Sequence, residues 1–151
     1  MNETKLHSKL ATRFSRFFAS LIDVIIIVIP IAIIMSFTGV PEHIANGTQP
    51  SYVYLTIMGL VGVLFFYMFN IKLLFTNGQT IGKKNFRIKI VNLNDNMPTK
   101  ISLLNRYLVY FGLGFIPIIG NWLSIINVLL IFTKNKQCGH DFIVKTKVIK
   151  C

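Results

Sequence analysis

The chain alternates long uncharged apolar stretches with shorter polar ones. Between Asp23 and Glu42 no residue is charged, and the apolar block from Val24 to Met35 is interrupted only by Pro30. Extended back through Phe17, Phe18, Leu21 and Ile22, this block predicts a helix over about 17–37, long enough to cross a hydrocarbon core about 30 Å thick. Its apolar core is longer than that of a signal peptide, and no small-x-small cleavage pattern follows Met35, so it reads as a retained span. A second uncharged run, between Glu42 and Lys72, predicts a membrane helix over about 52–71. A third lies between Arg106 and Lys134. There Pro117, Gly120 and Asn121 divide the apolar residues into segments of about 101–116 and 121–133. A single kinked crossing tolerates such residues, but a helical hairpin, re-entrant or fully crossing, is the preferred reading.

Two polar stretches carry a different period. Phe86, Ile88, Ile90 and Leu93 broadly alternate with Arg87, Lys89 and Val91, turn residues fill Asn92 to Pro98, and a short run follows at Thr99 to Ser102. This predicts a β-hairpin over about 85–102. In the tail, Val144, Thr146 and Val148 alternate with Lys145 and Lys147, which predicts a strand within about 143–150. If that strand joins the hairpin, both lie on one side of the membrane.

Composition supports the membrane reading and orients it. Hydrophobic residues make up 53% of the 151 and charged residues only 14%, against about 25% charged in an ordinary soluble domain. Lysine and arginine total 16 against 5 acidic residues. They divide unevenly: four precede the first span (Lys5, Lys9, Arg13, Arg16), none lies in 38–51, seven lie in 70–106 and five in 133–151. Since Lys and Arg gather on the cytoplasmic side, the N-terminus, the second loop and the tail are expected inside a cell membrane, facing anionic headgroups. A tail on that side is what a hairpin requires. Apolar stretches of this length leave no soluble core with which to bind nucleic acid. Cys138 and Cys151, without a CxxC pattern, suggest neither a zinc site nor a disulfide framework. No metal or other cofactor is expected.

Three clusters carry candidate chemistry. Arg16, Ser20 and Asp23 are spaced i, i+4, i+7 and share one helix face. Gly78-Gln-Thr-Ile-Gly-Lys-Lys84 follows the second span, and Gly139-His-Asp141 precedes Lys145 to Val148. Together they resemble the RDD family of integral membrane proteins, through Arg16 and Asp23, through Gly78, Thr80, Gly82 and Lys83, and through His140, Asp141, Thr146 and Val148. Val144 and Lys145 depart from the small residues usual in the family's tail. The resemblance implies one RDD-type membrane domain over 1–151: an α-helical polytopic protein with three to four membrane segments and a small cytoplasmic β-element. It also implies a role in transport.

Competing motifs fail on spacing. A Walker A loop needs four residues between its Gly and its Gly-Lys pair, followed by Ser or Thr; here three intervene and Lys84 follows. His140-Asp141 lacks the further histidines of a metal-dependent phosphohydrolase, and no nucleophile–base–acid set gathers on one side. The chain is therefore not expected to be an enzyme. Asp23 at the membrane edge needs a cation, from Arg16, Arg13 or the β-element, and Asp141 needs Arg106. Such pairs act either as ionic staples or as coupling sites for a monovalent cation or proton. One embedded carboxylate in so short a chain makes a transporting homo-oligomer the expectation, with a non-transporting scaffold or assembly factor as the alternative. Gly78 and Gly82 read as turn formers, and Lys83 and Lys84 as contacts to lipid phosphates. Tyr52, Tyr54, Tyr67, Tyr107, Tyr110 and Trp122 read as interfacial anchors.

Overall fold

A computed structural model describes residues 10–116, 119–133 and 138–151. The expectations that involve Lys5, Lys9, Pro117, Lys134 and Lys136 lie outside these residues.

Helix α1 (Arg13–Phe37) begins where the Thr12 hydroxyl accepts from the Ser15 amide, 3.2 Å away, filling one of the bonds a helix start leaves open. A short helix α2 (Val40–Ala45) follows Gly39, and α3 (Tyr52–Asn77) starts on the equivalent Ser51 cap. At 25 and 26 residues, α1 and α3 are each close to 40 Å long and apolar enough to span a bilayer. Their outward residues are apolar and open: Val28 is 53%, Ile29 56% and Leu64 68% exposed. Continuous apolar faces of this extent belong against lipid rather than water.

Gly78 ends α3 in the left-handed region (φ 64°), where a side chain would also press into the Ile90 carbonyl. The chain then forms α4 (Ile81–Asn85) and strand β1 (Ile88–Asn92). The strand expected next, at Thr99 to Ser102, is instead the start of helix α5 (Lys100–Gly112). Thr99 accepts from the Ser102 amide at 3.2 Å, so the local run is a helix cap, and no hairpin forms. Strand β1 pairs instead with the tail strand β2 (Thr146–Lys150), antiparallel, with Ile90 opposite Val148. Leu10 bridges to Ile149, and the Ala11 amide donates to the Val148 carbonyl at 3.0 Å. The start of α1, the end of α3 and the tail therefore meet at one end of the molecule.

The third apolar stretch turns back on itself. After α5 and a 3₁₀ turn (Leu113–Phe115), helix α6 (Gly120–Leu129) runs into a second 3₁₀ turn (Leu130–Phe132), followed by α7 (Gly139–Ile143). Helices α5 and α6, about 20 and 15 Å long, are each too short to cross a 30 Å core. Arg106 on α5 and Asn127 on α6 both reach His140 on α7, at 3.2 and 3.1 Å, which brings the middle of α5 close to the end of α6.

Helices α4 and α7 introduce the two strands in the same way. Each has five residues, ends in a cap of near-identical backbone (Phe86 and Val144), and passes through a left-handed basic residue, Arg87 or Lys145, into a five-residue strand. The units lie 58 residues apart in sequence, and Ile90 and Val148, at matching positions, face each other across the sheet. The pair is thus a local two-fold repeat. Its inner face joins Ala11, Ala19, Phe66, Leu74, Leu103 and Tyr107 in one core.

Candidate functional site

Asp23 sits nearly three turns into α1 and is 6% exposed. Its carboxylate accepts from the Thr80 hydroxyl at 2.5 Å and the Gly82 amide at 2.9 Å, with the Lys83 ammonium 3.7 Å away. Each residue of the second motif has a separable task here. Gly78 caps α3, and Thr80 caps α4 while donating to Asp23. Gly82 lets α4 lie against the α1 backbone, because a Cβ there would fall 2.0 Å from the Ala19 carbonyl oxygen. Lys83 supplies the charge.

Lys83 therefore does not meet lipid phosphates. It is 7% exposed and its ammonium lies 3.4 Å from both the Thr80 and Tyr107 hydroxyls, while Lys84 next to it is exposed. An ammonium drawn inward by a buried carboxylate cannot also snorkel outward. Burial opposes its charge, but Tyr107 and Asp23 outweigh burial and raise its pKa. Tyr107 departs from its expected place as well. It is 5% exposed and packs 4.7 Å, centre to centre, from the Phe66 ring instead of anchoring at the interface.

The tail motif builds a second cluster. Arg106 pairs with Asp141 and donates to the Thr146 hydroxyl at 2.8 Å, and all three side chains are almost wholly buried. Thr146 in turn donates to Asp141 at 3.2 Å. Burial alone would raise the Asp141 pKa, but the Arg106 guanidinium overrides it and holds the carboxyl below its ordinary range. Arg16 ties α1 to this end of the fold by donating to the Val148 carbonyl at 2.6 Å.

Sequence reasoning missed two carboxamides. Asn70 on α3 accepts from the Ile81 amide at 2.8 Å, and Asn127 on α6 accepts from the His140 amide at 2.9 Å. Each holds the first turn of one repeat unit. Their signal was an amide inside an uncharged apolar run, where a polar group needs a partner.

Burial, reinforced by the Arg106 charge, lowers the His140 pKa to about 3, so the imidazole is neutral at physiological pH. An unfolded imidazole titrates near 6.5. Between these values the unfolded chain binds more protons than the folded one. Stability is therefore expected to fall as pH drops from about 6.5 toward 4, by up to about 1.4 kcal/mol per pH unit. Thermal unfolding in detergent across that range should show the slope, and His140→Gln should flatten it.

Cys138, His140 and Asp141 present ligand atoms within 4.8 Å of one another. They do not make a convincing metal centre, because the Arg106 guanidinium already engages Asp141 and faces His140. Burial, then the nearby Asp141 charge, pushes the Cys138 thiol up to about 11, so it is not a ready thiolate ligand either.

Between these clusters lies a cavity of about 90 Å³, lined by residues of α1, α3, α4, α5, α7 and β2. It brings together Arg16, Asp23, Lys83, Arg106, His140 and Asp141. Gly78 stands apart from it in the α3 cap, and Thr146 borders it through Arg106.

A helical membrane domain whose buried charges close around such a cavity is the class that these features define. The chain matches the RDD family over residues 10–145 and belongs to it. No curated protein and no solved structure matches it.

Proposed function

We propose that this RDD-family membrane protein acts in transport, as a homo-oligomer in the cell membrane, exchanging a monovalent cation for protons. The observation that carries this reading is the Asp23–Lys83 pair beside the cavity. At 3.7 Å the ammonium is the most distant of the Asp23 partners, and a small cation can take its place without disturbing the Thr80 and Gly82 bonds. A buried carboxylate on a spanning helix is where coupling chemistry is expected. Protein in liposomes should dissipate a pH gradient when sodium is added, and Asp23→Asn should stop the flux with fold and oligomeric size unchanged. If properly folded protein moves no monovalent cation at any pH tested, the exchanger reading fails. The short bonds from Thr80 and Gly82 favour a second reading, a non-transporting scaffold in which Asp23 only fastens α4 to α1.

In either reading the N-terminus, the β-element and the tail face the cytoplasm, supported by the charge bias and by the sheet that joins all three. The α5–α6 pair then enters and leaves on that side. Cys151 is exposed, so an impermeant maleimide should label it only after cells are permeabilised. Cys138, buried and protonated, should stay protected in both conditions, and Thr48→Cys should react from outside. Labelling of Cys151 in intact cells would put the tail outside.

A further inference from the structure

The local repeat extends into the helices. Each half of the chain runs helix, helix, five-residue helix, strand: α1, α3, α4 and β1 in residues 13–92, with α2 added between the first two, and α5, α6, α7 and β2 in residues 100–150. In each half the first helix carries one member of an ion pair and the third residue of the five-residue helix carries the other, Asp23 with Lys83 and Arg106 with Asp141. In each half the second helix supplies the asparagine that accepts from the first turn of the five-residue helix, Asn70 or Asn127. The signs are opposite, since the first helix carries the acid in one half and the base in the other. Each pair nevertheless closes within its own half.

The cavity lies on the boundary, and its lining residues come in equal numbers from the two halves. Away from the sheet the halves meet through rings. Phe66 of the first half lies 4.7 Å from Tyr107 and 5.0 Å from Phe111 of the second, centre to centre, and Phe115 lies against Gly59. The Lys83 ammonium also reaches the Tyr107 hydroxyl, but at 3.4 Å, beyond the usual range of a hydrogen bond. Stronger ties gather at the sheet end. There the strands pair from Ile88–Lys150 to Asn92–Thr146, Arg16 donates to the Val148 carbonyl at 2.6 Å, and Arg13 donates to the Thr133 carbonyl at 3.1 Å.

Parting the halves at the ring end therefore strands no charge, which is the step that would cost most in a low-dielectric interior. Rings that separate beside lipid exchange one apolar neighbour for another, and about 90 Å³ is already open between them. Strand twist in a two-stranded ribbon spans a wide range, so the sheet can absorb a rotation. In membrane proteins built of repeats, one repeat commonly rocks against the other around a site at their boundary.

We propose that the two halves move as bodies that pivot on the β1–β2 ribbon and part where Phe66 meets Tyr107 and Phe111, opening the cavity at the end away from the sheet. Asp23 keeps Thr80 and Gly82 throughout, and Asp141 keeps Arg106, because these partners travel with it. The inference goes beyond the exchanger reading and does not require it.

Double electron–electron resonance on the spin-labelled full chain in liposomes reads the motion. Cys138→Ser and Cys151→Ser remove the native thiols, and serine is a favoured residue at the start of α7, where Cys138 stands. The labels go on exposed positions, so the interior is untouched. Ile57→Cys with Ile119→Cys spans the boundary away from the sheet, Lys84→Cys with Phe142→Cys spans it at the sheet end, and Ile29→Cys with Ile57→Cys stays within the first half. From mildly acidic to mildly alkaline pH, with and without sodium, the first pair is expected to show a second, longer distance in at least one condition. The other two pairs are expected to keep one distance throughout. A single fixed distance for the first pair in every condition would overturn the proposal, as would a within-half pair that broadens equally. Phe111→Ala removes a ring contact across the boundary, and with the within-half distance unchanged it should raise the ratio of longer to shorter distance roughly fivefold, about what an aromatic pair provides. An unchanged ratio would overturn the proposal too. Two distances without cation flux would uphold this inference while removing the exchanger reading, and flux with one fixed distance would do the reverse.

Discussion

Gly82→Ala is expected to prevent the protein from folding. The added methyl would stand 2.0 Å from the Ala19 carbonyl oxygen and 2.9 Å from Asp23 Oδ1. The first neighbour is helix backbone and cannot rotate away. Relief would require α4 to withdraw from α1, which stretches the Gly82 amide bond to Asp23 and the Thr80 bond beside it. Overpacking alone costs about 1–3 kcal/mol, and losing donors to a buried carboxylate adds about 1–3 more. Together these are about 2–6 kcal/mol, enough to remove the stability of a domain at the low end of the usual range of about 5–15 kcal/mol. Size-exclusion chromatography of detergent-purified variants should show the wild type as one species and Gly82→Ala as aggregate. Gly112→Ala is a suitable control, since nothing lies within 4 Å of a Cβ there.

Asp141→Asn is expected to cost about 3–5 kcal/mol, the usual penalty for stranding one member of a buried ion pair. The guanidinium of Arg106 would keep Thr146 but lose its counter-charge in a site 2% exposed. The pair is worth less than this loss suggests, because both ions were desolvated to form it. Arg106→Met combined with Asp141→Leu should therefore lose clearly less than the two single changes added together. Thermal unfolding in one detergent, for all four proteins at one pH, reads the cycle. Additive losses would mean that the two side chains are not partners.

Much of the helical architecture is legible in the sequence because it depends on local composition. The uncharged runs mark α1 and α3, and the alternation at 86–91 and 144–148 marks both strands. Strand partners are a different matter. Pairing β1 with a neighbour at 99–102 was the economical choice, yet one side chain, the Thr99 cap, turns that run into a helix and leaves β1 for a strand more than fifty residues away. The site was legible by residue type and not by geometry. Asp23 announces its need for a cation, but Lys83 is aimed at it by the turn of α4, which periodicity cannot foresee. Asn70 and Asn127 were overlooked because amides leave no trace in a charge count.

The distance between paired strands also sets an order of assembly. By the time residue 92 has been made, the chain holds every group around Asp23: Thr80, Gly82 and Lys83, with Asn70 behind them. Arg106 has no such company until Asp141 and Thr146 arrive some forty residues later. A nascent chain halted between those points exposes a guanidinium in an apolar hairpin and an unpaired β1 edge, the features by which incomplete membrane proteins are singled out for degradation or aggregate. The tail strand closes β1, receives the bond from Arg16 and bridges back to Leu10 in one step. It works as a latch that the chain can fasten only once Thr146–Lys150 has been made.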